Sequence, residues 1–194
     1  MGAFEFFFSF YGLLLGFSVA EVTGGLAGAL NMRRRVKLGW LTPLLSLFIM
    51  VDIMGFWLFA WASRAGITIS WAMMTGGLVV AVTYYLAASL VYPKDWDEWT
   101  SLDEHYWAQK RLVIAGVGLA NIAVLVFTLI SFPPQSGDWA FVAYQGVYWV
   151  PLLGLFISRK AKLDIVLLGL LVAQYLAAAL NIVQSSQWGA STGI

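Results

Sequence analysis

Two carboxylic acids lie within long apolar runs of this sequence, where a charge is costly. Glu21 is near the middle of the first run, and Asp52 is near the middle of the second. A charged side chain at the centre of a bilayer costs at least about 2.5–3.5 kcal/mol, and no basic residue within these runs offsets it. The acids must therefore be protonated, hydrogen-bonded, hydrated or bound to a cation. Asn or Gln would supply hydrogen bonds without the charge, so we interpret both acids as functional.

Polar side chains on the other apolar runs lie at a similar depth and are candidate partners for the acids. Asn121 and Gln174 are near the middle of their runs, and with Glu21 and Asp52 they make up the predicted ion- or proton-binding site. Hydrogen bonds between helices are common in membrane bundles, and each amide taken singly fits that structural role as well. The further polar residues expected to line the site are Ser18, Thr75, Thr83, Tyr144, Gln145 and Tyr148.

The elements that must position these residues are membrane-spanning helices. The chain has 194 residues, of which 61% are hydrophobic and 11% are charged, about half the charged fraction of a soluble domain. Each apolar run reaches the roughly 20 residues that cross a bilayer as a helix. We therefore predict an all-α polytopic membrane protein with a single six-helix domain over residues 1–194. The predicted spans are Ala3–Leu30, Leu38–Ser63, Ile67–Tyr92, Tyr106–Ser131, Trp139–Ile157 and Leu163–Val183.

The basic residues between the runs predict the orientation in the membrane. All but Arg64 lie in or beside the first, third and fifth loops, and loops rich in Lys and Arg stay cytoplasmic. Both termini are therefore expected outside, in a bacterial inner membrane. The start, MGAFEFFF, has no basic segment, so no cleaved signal peptide is expected. The basic residues of the odd-numbered loops are Arg33, Arg34, Arg35, Lys37, Lys94, Lys110, Arg111, Arg159, Lys160 and Lys162.

A short internal similarity predicts an inverted repeat. The third run contains YYLAASL (Tyr84–Leu90) and the sixth contains QYLAAAL (Gln174–Leu180). Two units of three helices must cross the membrane in opposite directions, as in many transporters whose sites lie near the midplane. The units would be residues 1–92 and 106–184. The alternative is chance, because Leu and Ala are the commonest membrane residues.

Small residues recur at every fourth position of the first run and predict a tightly packed helix face. Such stripes let helix backbones approach closely in lipid. The face would pack either within the monomer or against a second copy in a homo-oligomer. Its residues are Gly12, Gly16, Ala20, Gly24 and Gly28.

The segment 93–105 is expected to be a cytoplasmic interfacial loop, with its tryptophans at the level of the lipid headgroups. Ser101 and Glu104 fit a capping box that opens the fourth helix. The alternative is a sensor of Mg²⁺ or Ca²⁺, which prefer oxygen ligands, although the spacing matches no defined loop. Its weak candidate ligands are Asp95, Asp97, Glu98, Asp103, Glu104 and His105.

Several classes of function are disfavoured by what the sequence lacks. The chain contains one histidine, in a loop, and no cysteine, which argues against bis-histidine haem, a usual zinc site and thiol chemistry. No glycine-rich phosphate loop is present, and no basic patch indicates nucleic acid. We expect neither enzymatic activity nor a cofactor.

The sequence predicts a small transporter or channel subunit that moves a cation, most simply H⁺, through a site containing Glu21 and Asp52. On this hypothesis Glu21→Gln should abolish flux. A first alternative is a membrane scaffold, sensor or assembly factor that docks a membrane-protein partner. A second alternative is a bundle that binds a lipid or a quinone, for which the many aromatic residues are the indication.

Overall fold

Six α-helices form the fold, as predicted. The computed structural model describes residues 2–64, 70–134 and 137–179. Within them, each helix is long and apolar enough to span a membrane, so the chain is an all-α membrane bundle. The sixth span was predicted to end at Val183, and the segment 180–194 lies outside the described residues. The helices are α1 (Ala3–Met32), α2 (Leu41–Ala62), α3 (Trp71–Ser89), α4 (Leu102–Ser131), α5 (Trp139–Ile157) and α6 (Ala161–Ala179).

The fourth helix begins four residues earlier than the apolar run predicts, because its cap overrides hydropathy. The Ser101 hydroxyl accepts a hydrogen bond of 3.2 Å from the Glu104 amide, as the capping box requires. The Glu104 carboxylate instead accepts a bond of 2.8 Å from the Thr100 hydroxyl. His105 therefore belongs to the first turn of a helix and not to the loop.

α2 and α4 lie side by side at the centre of the bundle. α1 and α3 pack on one side of this pair, and α5 and α6 pack on the other. Each central helix thus belongs to two four-helix groups. A side chain in the middle of α2 consequently lies within reach of several other helices.

The arrangement of the helices does not repeat in an obvious way between the two halves. α1 packs extensively on α3 in the first half, whereas the most extensive contact of the second half joins α5 to α6. In an inverted repeat α1 would correspond to α4 and α3 to α6, so the counterpart of the α1–α3 contact would be a contact between α4 and α6. The inverted repeat stays a prediction.

Among the described residues, the stripe of small residues on α1 packs against other parts of the chain at its first and last positions, Gly12 and Gly28. A Cβ atom on Gly12 would lie 2.8 Å from the Trp57 indole nitrogen, and one on Gly28 would lie 3.0 Å from the Trp96 ring. Gly16 and Gly24 have no such neighbour within 4 Å among the described residues, and Ala20 is exposed. Packing of the central part against a second copy stays a prediction.

Gly25 marks the closest approach of α1 to the segment after α3. A Cβ atom there would lie 2.7 Å from the Tyr92 Cβ atom, and the Tyr92 hydroxyl accepts a hydrogen bond of 2.8 Å from Ser46. Gly25→Ala must therefore displace Tyr92 and is expected to lower the free energy of unfolding by about 1–3 kcal/mol. Denaturant titration in mixed micelles, followed by tryptophan fluorescence, measures the change.

The matched control for this prediction is the adjacent glycine. Gly24→Ala adds a methyl group that meets nothing within 4 Å in the described residues, and alanine is the better helix former. Its free energy of unfolding should equal or exceed that of the wild type. Equal stability of the Gly25→Ala and Gly24→Ala variants would contradict the packing.

Candidate functional site

Asp52 lies at the centre of a hydrogen-bonded cluster to which four other helices each contribute one residue. Its Oδ2 atom accepts hydrogen bonds from the Tyr84 hydroxyl and, at 3.1 Å, from the Asn121 amide. Its Oδ1 atom accepts bonds from the Tyr175 hydroxyl and, at 3.1 Å, from the Tyr148 hydroxyl. The side chain of Asp52 is completely buried. We call these five residues the Asp52 cluster.

Local packing orients the donors of the Asp52 cluster. The Asn121 amide also donates to the Val117 carbonyl at 3.0 Å, one turn earlier on α4. Gly55 follows Asp52 by almost one turn, and a Cβ atom there would lie 2.9 Å from the Tyr175 ring. A small residue on α2 is thus what lets the α6 tyrosine reach the acid. The Tyr84 ring is held edge-on by Phe56, with ring centroids 5.3 Å apart.

The Asp52 cluster suits a proton better than a metal ion. An ionised carboxylate has about four lone-pair sites, and the four donors occupy all of them, so a metal ion would have to displace donors to coordinate Asp52. A phenol hydroxyl both donates and accepts. A protonated Asp52 therefore needs only one tyrosine hydroxyl to turn round and accept. The same residues thus satisfy both protonation states.

No basic side chain belongs to the Asp52 cluster. Among the described residues, Lys110 is the only buried lysine or arginine, and its carboxylate partner is Asp164. An ionised Asp52 therefore keeps a net negative charge in the interior of the bundle. Neutralisation requires a proton or a mobile cation.

Glu21 does not join Asp52. Phe8 packs on Trp61 and Gly12 lies against Trp57. In these two pairs, four residues forward along α1 correspond to four residues backward along α2. If this antiparallel register continues, Asp52 lies level with residue 17 of α1. Glu21 is four residues further along α1, about 6 Å at 1.5 Å per residue.

This register agrees with the similar depth expected for Glu21 and Asp52, but the two side chains point in different directions. Glu21 shares a helix face with Gly25 and Gly28, which contact Tyr92 and Trp96. It is half-buried. All four donors to Asp52 come from α3 to α6. The structure does not bring Glu21 and Asp52 into one cluster, and a separate role for Glu21 stays a prediction.

Gln174 is half-buried close to the Asp52 cluster but outside it. Its amide nitrogen and oxygen are buried without a hydrogen bond of normal geometry among the described residues, and the Tyr144 hydroxyl is a near neighbour. The predicted set of four site residues is thus only partly assembled. Asp52 and Asn121 bond directly, whereas Gln174 and Glu21 do not.

The further polar residues divide between the site and other surroundings. Tyr148 bonds to Asp52, and Tyr144 and Gln145 line the cavity next to it. The Ser18 hydroxyl is buried without a hydrogen-bond partner in the described part of the chain. Thr75 is exposed and Thr83 is half-buried, and neither donates to Asp52.

A cavity of about 140 Å³ leads away from Asp52. Its walls come from the second half of α2, the second half of α4 and the first half of α5, together with Tyr175 of α6. The cavity is partly open and extends towards the end of the bundle at which α2 and α4 end and α5 begins. The basic loops predict that this end faces outwards.

A buried ion pair lies at the opposite end of α4, α5 and α6. The Lys110 ammonium donates to the Asp164 carboxylate at 2.6 Å and to the Ser158 carbonyl at 2.7 Å, and the Tyr106 hydroxyl donates to Asp164 at 2.9 Å. Both charged side chains are almost completely buried. Lys110 was predicted beside the third loop, within the fourth span, as one of the basic residues that set the orientation. Its buried ion pair was not predicted, because the sequence does not show which side chain a neighbouring helix brings to it.

An apolar layer separates this ion pair from the Asp52 cluster. Lys110 and Asn121 are eleven residues apart on α4, about 16 Å along the axis, and Asp164 and Tyr175 have the same spacing on α6. The layer consists of side chains that are nearly or completely buried, among them Val113, Val117, Leu152, Leu155, Leu168 and Leu171. The cavity beside Asp52 therefore extends towards one end of the bundle, and packed apolar side chains lie between Asp52 and the ion pair at the other end.

A second cavity, of about 400 Å³, lies on the other side of α2 and α4. It is lined by α1 to α4 in the same half of the bundle and is partly open. Its polar lining is limited to Tyr11, Ser70 and Ser131, and its other walls are aliphatic, aromatic or glycine. It provides an apolar space but contains no acid.

The candidate metal ligands of segment 93–105 are dispersed. Asp95 accepts a bond of 3.0 Å from the Asp97 amide, Glu104 bonds to Thr100, and the His105 ring lies 3.1 Å from the Leu90 carbonyl. The described residues contain no group of three or more His, Asp or Glu side chains that could hold a metal ion. The structure thus does not assemble these candidates into one group, and a divalent-cation sensor in this loop stays a prediction.

Sequence reasoning missed Tyr84 and Tyr175. Both belong to the two similar segments of the third and sixth spans, but Tyr84 aligns with Gln174 and Tyr175 aligns with Tyr85. The cluster thus uses tyrosines from adjacent, non-equivalent positions. The available signal was the placement of a phenol deep within an apolar run, where a hydroxyl must find a partner.

Comparisons with protein families, with curated proteins and with solved structures found no match to this chain.

Proposed function

We propose that this protein is a small membrane transporter that moves protons, with Asp52 as the group that takes up and releases H⁺. The observation that carries the proposal is a buried carboxylate whose four hydrogen-bond donors satisfy it without any basic partner. A membrane bundle that needed only internal hydrogen bonds would be served by a neutral amide at lower cost. The retained charge indicates exchange with a mobile cation.

The surroundings of Asp52 favour a transporter over an open channel. The 140 Å³ cavity beside the acid extends towards one end of the bundle, and the apolar layer and the Lys110–Asp164 pair lie towards the other end. A channel needs a continuous polar path, whereas a site open to one side at a time is the arrangement of alternating access. Pro151 interrupts the hydrogen bonding of α5 beside the apolar layer, which offers a position for bending.

The test is proton flux into proteoliposomes. Purified protein is reconstituted with a pH-sensitive dye inside the vesicles, and a potassium gradient with valinomycin imposes a membrane potential. Acidification of the lumen should be faster than in protein-free vesicles and should depend on the direction of the potential. Absence of flux for H⁺, and likewise for Na⁺, K⁺ and Mg²⁺, would remove the transport proposal.

The 400 Å³ cavity favours one second candidate, a bundle that binds a lipid tail or a quinone. Its nearly apolar walls within the spanning helices suit such a molecule. Solvent extraction of the purified protein followed by mass spectrometry would then find one lipid or quinone in stoichiometric amount. That result together with absent proton flux would favour this candidate over transport.

A further inference from the structure

The cavity beside Asp52 combines a buried acid with aromatic walls. Asp52 lies on its wall, and the lining rings include Phe56, Phe141, Tyr144, Tyr148, Trp149 and Tyr175. These rings come from three helices and surround the space on several sides. A path used by protons needs hydroxyls, carboxyls or water, so proton movement does not account for these rings.

Aromatic faces attract weakly hydrated cations. The electron-rich face of a ring binds an ammonium or alkylated ammonium group, and the attraction strengthens when the site is desolvated. Mg²⁺, Ca²⁺ and similar ions instead require several oxygen ligands. The four donors occupy the lone pairs of Asp52, and Asp52 is the one acid among the described residues that line the cavity. The walls therefore favour an organic cation over a metal ion.

The size of the cavity limits the ligand. A cavity of roughly 150 Å³ in an engineered protein binds benzene, a molecule of six heavy atoms. The cavity beside Asp52 measures about 140 Å³. A small ammonium compound therefore fits, whereas a bulky one does not.

We propose that this cavity binds a small organic cation of the alkylammonium class, held by its aromatic rings and neutralised by Asp52. The proposal rests on the proposed function, because it names a second cation for the proton-carrying acid. One carboxylate cannot be protonated and neutralise an ammonium ion at the same time. The two cations consequently compete for Asp52, and the ammonium compound is expected to inhibit proton flux.

Choline and its uncharged isostere 3,3-dimethylbutan-1-ol provide the test, since they differ chiefly in the charge of the quaternary centre. Binding to the purified full chain is measured by isothermal titration calorimetry. Choline should bind about 30-fold more tightly than the alcohol, as a desolvated cation–π contact implies. Tetrabutylammonium, which exceeds the cavity, should not bind. Equal affinity for choline and the alcohol, no binding of choline, or equal binding of tetrabutylammonium would overturn the proposal.

Two tryptophans of α5 supply a matched pair of variants. Trp149 lines the cavity, whereas Trp139 is outside it and 78% exposed. Trp149→Leu should weaken choline binding about tenfold, a typical effect of losing one cation–π partner, and Trp139→Leu should not. Tyr144→Leu, which also removes a wall of the cavity without removing a donor to Asp52, replaces Trp149→Leu if that variant does not fold. Unchanged choline affinity in a folded cavity variant would count against the site.

Failure of this inference is distinguishable from failure of the proposed function. Proton flux without choline binding would leave Asp52 as a proton carrier and remove the ammonium site. Choline binding without proton flux would keep the site and remove proton transport.

Discussion

Proteoliposomes that contain the Asp52→Asn variant are expected to lose proton flux by at least about a hundredfold, the usual contribution of a positioned proton-transfer group. Asparagine has nearly the same shape as aspartate, and its amide still offers an acceptor and a donor. The tyrosine hydroxyls can reorient to bond with it, so the bundle should remain folded. An amide cannot take up a proton at neutral pH. Lumenal acidification under an imposed potential measures the loss.

Glu21→Gln is the matched control for this experiment. It makes the same chemical change in the other acid of the apolar runs, but Glu21 is outside the Asp52 cluster. We expect this variant to retain most of the proton flux. Gel-filtration profiles of both variants show whether the fold is kept. Flux that survives Asp52→Asn in a folded protein but disappears in Glu21→Gln would contradict the assignment of the proton to Asp52. It would favour Glu21 as the proton-carrying group, the role that the sequence alone suggested.

The second large effect is expected from the buried ion pair. Asp164→Asn should lower the free energy of unfolding by about 3–5 kcal/mol, because removal of one partner leaves an uncompensated charge in a buried site. The Lys110 ammonium would keep the Ser158 carbonyl and the rings of Trp107 and Tyr106, 4.3 Å and 5.7 Å from its nitrogen, but it would have no carboxylate. Denaturant titration in mixed micelles, with tryptophan fluorescence as the signal, measures the loss.

Removal of both charges separates the ion pair from the packing around it. The double variant Lys110→Met, Asp164→Leu deletes the attraction and both desolvation costs, and such replacements are often neutral or stabilising. Its free energy of unfolding should lie well above that of Asp164→Asn. Arg111→Met changes the exposed neighbour of Lys110 and should have little effect. A loss below about 1 kcal/mol in Asp164→Asn would mean that the pair is effectively solvated and screened, like a surface pair.

The sequence alone determined the number and the approximate limits of the helices. Apolar length is a local property, and the fifth span agrees with its helix residue for residue. The predicted start of the third span, Ile67, lies outside the described residues. Among the other helix starts the largest displacement is four residues, at α4, and it follows from the Ser101 cap. Asp52 was also identifiable, since the cost of a charge in an apolar run depends on depth and not on neighbours.

Only the tertiary structure decided which residues surround Asp52. A sequence shows that Tyr84, Asn121 and Tyr175 lie deep within their helices, but not how far each helix is rotated about its axis. That rotation is set by contacts between distant segments, such as the fit of Tyr175 against Gly55. The same cause separated Glu21 from Asp52 and paired Lys110 with Asp164. Depth in the membrane follows from counting residues along a helix, whereas direction depends on the packing of all six.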